Sequence, residues 1–460
     1  MKAVWKEFAE ETTCHGWKYV GNKSSSTFSR LLWAVVVFSL IGGLVYTLVI
    51  TYIAYTKHKV LTVTRTEKRN QLNFPAVTIC NKGTYDNSSG NISQAEANFL
   101  LRYSELYNPA TFNFNISEPI LNSSLGVFQT KSSFDWSAII QWVRFHYRYL
   151  NLADTERLEF QESGSLGRCM VIHGPKYFKK YGYPVVESEG SKSGLQLVLW
   201  TLQDGYIVND QGDAGFEVFI HESHTPAPYY SGGGIPVSPG FNTHIAMKPV
   251  EYKFLPKPYR SYGNTFCEET SPDYSHTACV FECIRNMTVD TCGCKTIQEY
   301  DTHPSLKDCT FNETYNCYIA TITSNYIAAE AGKICDCPRP CRFIKYEIQT
   351  SHSSYPSKAT HQYMRDIFNV NVTLDDLRND LVALRIYFQD LTYNEVEHIP
   401  EFNPEGIFGS IGGQMGFFLG ASMISVVEFL LAITKCLING VIWVTTGHSN
   451  EKTIKPLNDK

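Results

Sequence analysis

The stretch GIFGSIGGQMGFFLGASMISVVE, residues 406–428, decides how this chain of 460 residues is read. From Gly406 to Val427 it carries no charge, which is long enough for a helix to cross a hydrocarbon layer of about 30 Å. A carboxylate, Glu428, then follows inside the same apolar run. An acid in such a segment is costly unless it faces water or protein. Gly409 and Gly413 stand four apart, as do Gly412, Gly416 and Gly420. Small residues therefore line neighbouring helix faces and let copies of the helix approach closely. The pattern fits a helix that lines a pore, and it also fits an anchoring helix with a dimerisation face.

A second run without charge, Leu31–Tyr55, lies near the other end, with Arg30 before it and Lys57 after it. It is too long for a secretory leader and lacks a small-x-small site, so it reads as a retained membrane helix. Two spans put both tails on one side and residues 56–405 on the other. Lysine and arginine flank the first span on both sides and do not orient it. Sequons and cysteines do. Asn87, Asn91, Asn115, Asn122, Asn286, Asn312 and Asn371 all begin N-x-S/T triplets within the long loop, where twelve of the fourteen cysteines also lie. Glycan acceptors and crowded cysteines belong to an oxidising compartment. The expected order is a cytoplasmic tail (1–30), a first span (31–55), an extracellular domain (56–405), a second span (406–444) and a cytoplasmic tail (445–460), in the plasma membrane.

Within the loop, Leu72–Asn81 reads as an extended segment entered through Pro75. Residues 99–149 hold twelve aromatic rings. Apolar spacing there suggests helices near Phe99–Tyr107 and over Ile139–Leu150. Phe134, Trp136, Trp142 and Phe145 are candidates for an outward pocket, against the simpler reading of rings packed between helix and sheet. Leu195–Leu199, Phe216–Ile220, His244–Phe254 and Leu384–Phe388 read as strands, giving an α+β class around a sheet. Ten cysteines crowd into residues 267–341. Dense staples imply a rigid brace, and the sequons among them argue for disulfides over zinc. The charge of −5 names no partner. No motif points to nucleic acid, a cofactor or enzyme chemistry: the loop has no Gly-x-Ser-x-Gly elbow, no His-Glu-x-x-His helix and no phosphate-binding glycine loop.

Several of these stretches together resemble the degenerin/epithelial sodium channel/acid-sensing ion channel family. Phe74–Asn81 resembles its signature after the first span, and Leu255–Tyr259 the turn at the base of its thumb. Gly409–Gly416 with Gly420–Ser422 resembles its pore entrance and filter, and Cys335–Cys341 the end of its cysteine-rich region. His15-Gly16 stands where that family carries its cytoplasmic gating dipeptide.

The resemblance implies a trimer, of one chain or of related subunits, conducting Na⁺ and blocked by amiloride, with an ectodomain of palm, β-ball, finger, thumb and knuckle. It implies a selectivity filter at Gly420, Ala421 and Ser422, a pore acid at Glu428, a gate position at Gly409 and an amiloride position at Gly413. It couples Tyr259 to Tyr52 or Tyr55. Its disulfide pattern would join Cys80 to Cys169, Cys267 to Cys341, Cys279 to Cys337, Cys283 to Cys335, Cys292 to Cys317, and Cys294 to Cys309. The chain departs from acid-sensing members in lacking a second pore acid, since Phe429-Leu430-Leu431 follow Glu428. It also has one histidine, His58, where they place a pair. A channel opened by an extracellular peptide, as in the FMRFamide-gated branch, is the expectation that follows; proton, mechanical or constitutive opening, or a surface binding protein that does not conduct, are the alternatives.

Overall fold

The computed structural model describes residues 16, 19–20, 26–102, 118–163, 166–207, 212–229, 233–271, 274–296, 303–330, 334–368, 371–420 and 422–447. His15, Asn115 and Ala421 lie outside the described residues. The chain divides into two compact units, one of Met1–Leu61, Pro258–Arg260 and Ile399–Lys460, the other of Thr62–Lys257 and Ser261–His398.

In the larger unit, β12 (Phe241–Lys253) organises the main sheet. β13 (Arg342–Ser354) pairs antiparallel along its whole length. On the other side β14 (Leu381–Phe388) runs parallel to residues 242–247, and β15 (Thr392–Pro400) to residues 250–253. Pro249, which cannot donate to a ladder, falls in the gap between those two partners, the place where a strand interior tolerates it. The sheet continues from β14 through β9 (Leu195–Trp200) and β4 (Ile140–Phe145) to β5 (Arg148–Tyr149), and from β15 to β1 (Val60–Lys68).

A second, antiparallel sheet has the order β11 (Ile235–Val237), β10 (Phe216–His221), β3 (Ala76–Asn81), β7 (Gly167–Ile172), β6 (Leu158–Ser163). Every residue of β3 is buried, so both of its faces are covered. A two-stranded pair, β2 (Leu72–Asn73) with β8 (Val185–Val186), lies beside it in sequence. The two larger sheets share one core, in which the fully buried ring of Phe74 meets Phe145 and Phe388 edge to face at 5.1 and 5.7 Å. Such pairs add stabilisation beyond burial itself.

The cysteine-rich region is built on α2 (His276–Cys292), with α1 being Thr27–Thr56 of the smaller unit. Ser275 caps α2 by accepting from the Ala278 N–H, and Gly293, at φ +65°, ends it in the left-handed conformation that favours glycine. Cys279 and Cys283, one turn apart, bond to Cys337 and Cys335. Further bonds join Cys267 to Cys341, Cys292 to Cys317 and Cys294 to Cys309. The apolar core between α2 and α3 (Ile319–Glu330) is small, centred on Ile284, Val289 and Ile322, so covalent staples carry much of its rigidity.

One expectation about these elements is corrected. Residues 139–150 do not form a helix: one turn, Trp136–Ile139, leads into β4 and β5. The register between β4 and β9 shifts between Ile140 and Trp142, so the buried Ile140 and Val143 fall three apart and imitate a helical period. The helix near Phe99 spans Gln94–Arg102; the rest of that expected segment lies outside the described residues.

Candidate pore segment and its coupling contacts

In the smaller unit, α1 is long and apolar enough to cross a membrane. Ser26 caps its start by accepting from the Ser29 N–H. The expected second span is not one helix. α4 (Pro404–Leu419) and α5 (Met423–Gly447) meet at a bend of 79°, measured between 404–419 and 424–438.

The bend has a local cause. Gly420 sits at φ +59°, a conformation costly for residues with a Cβ, and its N–H closes the last turn of α4 on the Gly416 carbonyl at 2.9 Å. The next helix then starts with its own cap. The Ser422 hydroxyl accepts from the Ser425 N–H at 3.4 Å, and the Ser425 hydroxyl accepts from the Ser422 N–H at 3.1 Å. This reciprocal pair does the work of a capping box. Of the expected filter, Gly420 and Ser422 therefore flank the break, and Glu428 lies half-buried farther along α5.

Along α4, a Cβ placed on Gly409, Gly412 or Gly413 would meet nothing within 4 Å, so this strip is open within one chain. Gly43 of α1 is the opposite case: a Cβ there would lie 2.8 Å from the Phe418 ring. Gln414 bridges the same two helices, donating from Nε2 to the Thr51 hydroxyl at 3.0 Å and to the Ser410 hydroxyl at 3.3 Å. Near the start of α1, Gly16 is held at φ +92° with Val37 so close that a Cβ would fall 2.6 Å from it. Tyr19 stacks on Trp33 at 4.5 Å.

Tyr259, expected to couple to Tyr52 or Tyr55, makes no ring contact with either among the described residues. Its ring meets His58 edge on at 5.6 Å, and His58 meets Tyr55 at 5.9 Å. Tyr52 is 67% exposed. His58 has φ +46°, which turns the chain from α1 into β1 and aims the ring. Its position between Lys57 and Lys59 is visible in the sequence, but the left-handed turn that sets its ring beside Tyr259 is not.

Of the four rings expected to line an outward pocket, three are buried and the fourth, Trp142, is half-buried. Phe134, Trp136 and Phe145 are 3%, 3% and 9% exposed and belong to the shared core, and the Trp136 Nε1–H donates to the Arg168 carbonyl at 3.0 Å. Trp142 packs beside Tyr149 and a smaller core centred on Leu377 and Leu381. Their size is used for packing, as is usual for aromatic residues at strand and turn positions. Of the sequons, Asn91, Asn122, Asn312 and Asn371 are exposed, and Asn87 and Asn286 are half-buried.

Titratable groups in the larger unit are shifted mostly by burial. It pushes His173 down to about 3, with the Arg157 charge adding to the effect, and His221 down to about 4. It pushes the carboxyls of Glu159, Glu162 and Glu222 up. His173 lies between Phe145 and Tyr177, and neither ring nitrogen has a hydrogen-bond partner among the described residues. Because the folded state holds this ring neutral, the unfolded chain binds more protons below pH 6.5, and stability falls as pH drops from there towards 3. His173→Phe is expected to reduce the loss of stability between pH 7 and 5, read as the shift in denaturant midpoint. An equal shift in variant and native protein would count against this account.

A family model described as amiloride-sensitive sodium channel matches residues 8–431, nearly the whole chain. The chain belongs to this family. Acid-sensing ion channel 1C of Danio rerio is 26% identical over 443 residues, covering 92% of this chain and 81% of that protein. Acid-sensing ion channel 2 of Homo sapiens is 26% identical over 445 residues, covering 92% and 84%. Acid-sensing ion channel 1 of Gallus gallus is 26% identical over 463 residues, covering 92% and 82%. Among solved structures, a proton-activated chloride channel aligns with a TM-score of 0.33 at 9% identity, over 90% of this chain and 98% of that one. Members of the amiloride-sensitive sodium channel family are ion channels, not enzymes, and this chain is one of them.

Proposed function

We infer that this chain is a subunit of a trimeric, sodium-selective plasma-membrane channel, blocked by amiloride and opened by an extracellular peptide. The observation that carries the conduction reading is the break at Gly420 between two apolar helices, with Ser422 beside it and Glu428 beyond. A helix end leaves carbonyls without intrahelical donors, and such carbonyls can replace part of the water around a cation. With both spans in the membrane and both tails cytoplasmic, Gly420, Ala421 and Ser422 form the filter. Three copies of Glu428 concentrate cations near the axis.

Gly409 is then the gate position and Gly413 the amiloride position, both on the open strip of α4. Gly409→Phe is expected to raise the resting, amiloride-sensitive current several-fold, since the chain itself offers the ring no obstacle. An unchanged resting current at equal surface level would remove Gly409 from the gate. His15-Gly16 would act from the cytoplasmic side, and Tyr259 through His58 to Tyr55. The exposed sequons would carry glycans.

Peptide opening is supported by the histidines: His173 and His221 stay neutral through any mild acidification, and His58 stands alone where acid-sensing members have a pair. Proton opening is the second reading, favoured by the names of the relatives and by the raised carboxyls Glu159, Glu162 and Glu222. Whole-cell recording separates them. Amidated peptides with aromatic side chains are expected to evoke a sodium current that amiloride blocks and that a step to pH 5 does not evoke; current on the pH step with none on peptide selects the second reading.

A further inference from the structure

Where α1 ends, the smaller unit carries a charge pattern that conduction does not require. Lys57 and Lys59 lie exposed on either side of the left-handed turn at His58, and neither is in an ion pair among the described residues. They line a cleft of about 450 Å³ together with His58 and Arg260. One carboxylate, Glu401, completes the charged wall, and its backbone N–H donates to the Lys59 carbonyl at 3.0 Å, which makes the two residues neighbours. Val60 and Leu61 provide an apolar wall, and Leu61 is 49% exposed. Tyr55 and Tyr52, exposed rings on the last turns of α1, are the residue type found where a bilayer meets water.

We propose that this cleft binds the headgroup of a zwitterionic phospholipid, its phosphate diester held by Lys57, Lys59 and Arg260 and its ammonium by Glu401. A simple anion would gain from the three cations but be repelled by the carboxylate, and a simple cation would meet the reverse. A zwitterion with charges about one ethanolamine length apart uses both signs. The source is a lipid and not free phosphate because the cleft follows directly on an uncharged run of 25 residues, Leu31–Tyr55, along which acyl chains can lie. Ammonium and guanidinium contacts to phosphate are strong hydrogen bonds, and the neighbouring carboxylate selects among headgroups.

The test counts lipids retained by the purified full chain in native mass spectrometry, with phosphatidylethanolamine, phosphatidylglycerol or inorganic phosphate added. Its readout is independent of current, so failure of the channel reading would not affect it. Native protein is expected to retain phosphatidylethanolamine in preference to phosphatidylglycerol, and millimolar inorganic phosphate should not displace it. Lys59→Gln with Arg260→Gln should weaken retention about tenfold, the scale of a lost charged hydrogen bond. Glu401→Gln should bring phosphatidylethanolamine down to the phosphatidylglycerol level, and Lys59→Arg should retain lipid as the native chain does. Size exclusion shows that each variant is assembled as the native protein is. Retention unchanged in the double variant, equal binding of the two lipids by native protein, or displacement by inorganic phosphate would each overturn the proposal.

Discussion

Gly420→Val is expected to reduce amiloride-sensitive current below detection while leaving the amount of protein at the cell surface within about a factor of two. The reasoning starts from φ +59° at Gly420, where a β-branched side chain costs about 1–3 kcal/mol and is relieved by returning the residue to the helical region. That relief would straighten the junction of α4 and α5 and withdraw the carbonyls at the break. In the proposed trimer the effect would be multiplied, because each subunit would contribute the same residue to the filter. Gly420→Ala should fall between, with a smaller penalty and a partial current. Surface biotinylation alongside whole-cell recording makes the comparison. A valine variant with native current and native preference for sodium over potassium would show that the break does not face permeating ions.

The second large effect lies in the larger unit. Cys80 and Cys169 sit directly opposite each other on β3 and β7, are both fully buried, and close a loop of 89 residues. Joining residues that far apart removes roughly 4–5 kcal/mol of chain entropy from the unfolded state. Replacing both with alanine should lower the thermal midpoint of the β-sheet signal by on the order of 10 °C and reduce surface delivery in parallel. Replacing the thiols together avoids leaving one buried partner unpaired. A midpoint within one or two degrees of the native protein would mean that the surrounding core, and not the covalent bond, holds β3 against β7.

Much of this fold was legible because its signals are local. Two apolar runs, the Pro75 entry into β3 and the alternation in β9, β10 and β14 each depend on a few neighbouring residues. The cysteine count fixed a stapled region, but the partners came from family resemblance and not from spacing, since pairing depends on where α2 places Cys279 and Cys283. Illegible features were those set by distant chain. A bulge against β9 gave β4 the spacing of a helix, and the core shared by two sheets absorbed Phe134, Trp136 and Phe145. At the candidate site, glycine spacing drew attention to the stretch that holds the helix break. It could not show that Gly420 breaks the helix, because glycines at 409, 412, 413 and 416 leave α4 intact. Nor could it show that His58 stands between Tyr55 and Tyr259.

The two serines that cap α5 have an electrical consequence. At the break, α4 presents its carbonyl end and α5 its amide end, so opposite partial charges of about half an electron face the same short segment. A cation beside that segment would be drawn to the first and resisted by the second. By turning their hydroxyl oxygens onto each other's amides, Ser422 and Ser425 mask part of the pole that repels a cation, so the proposed filter would start with less of that repulsion before any carboxylate is counted.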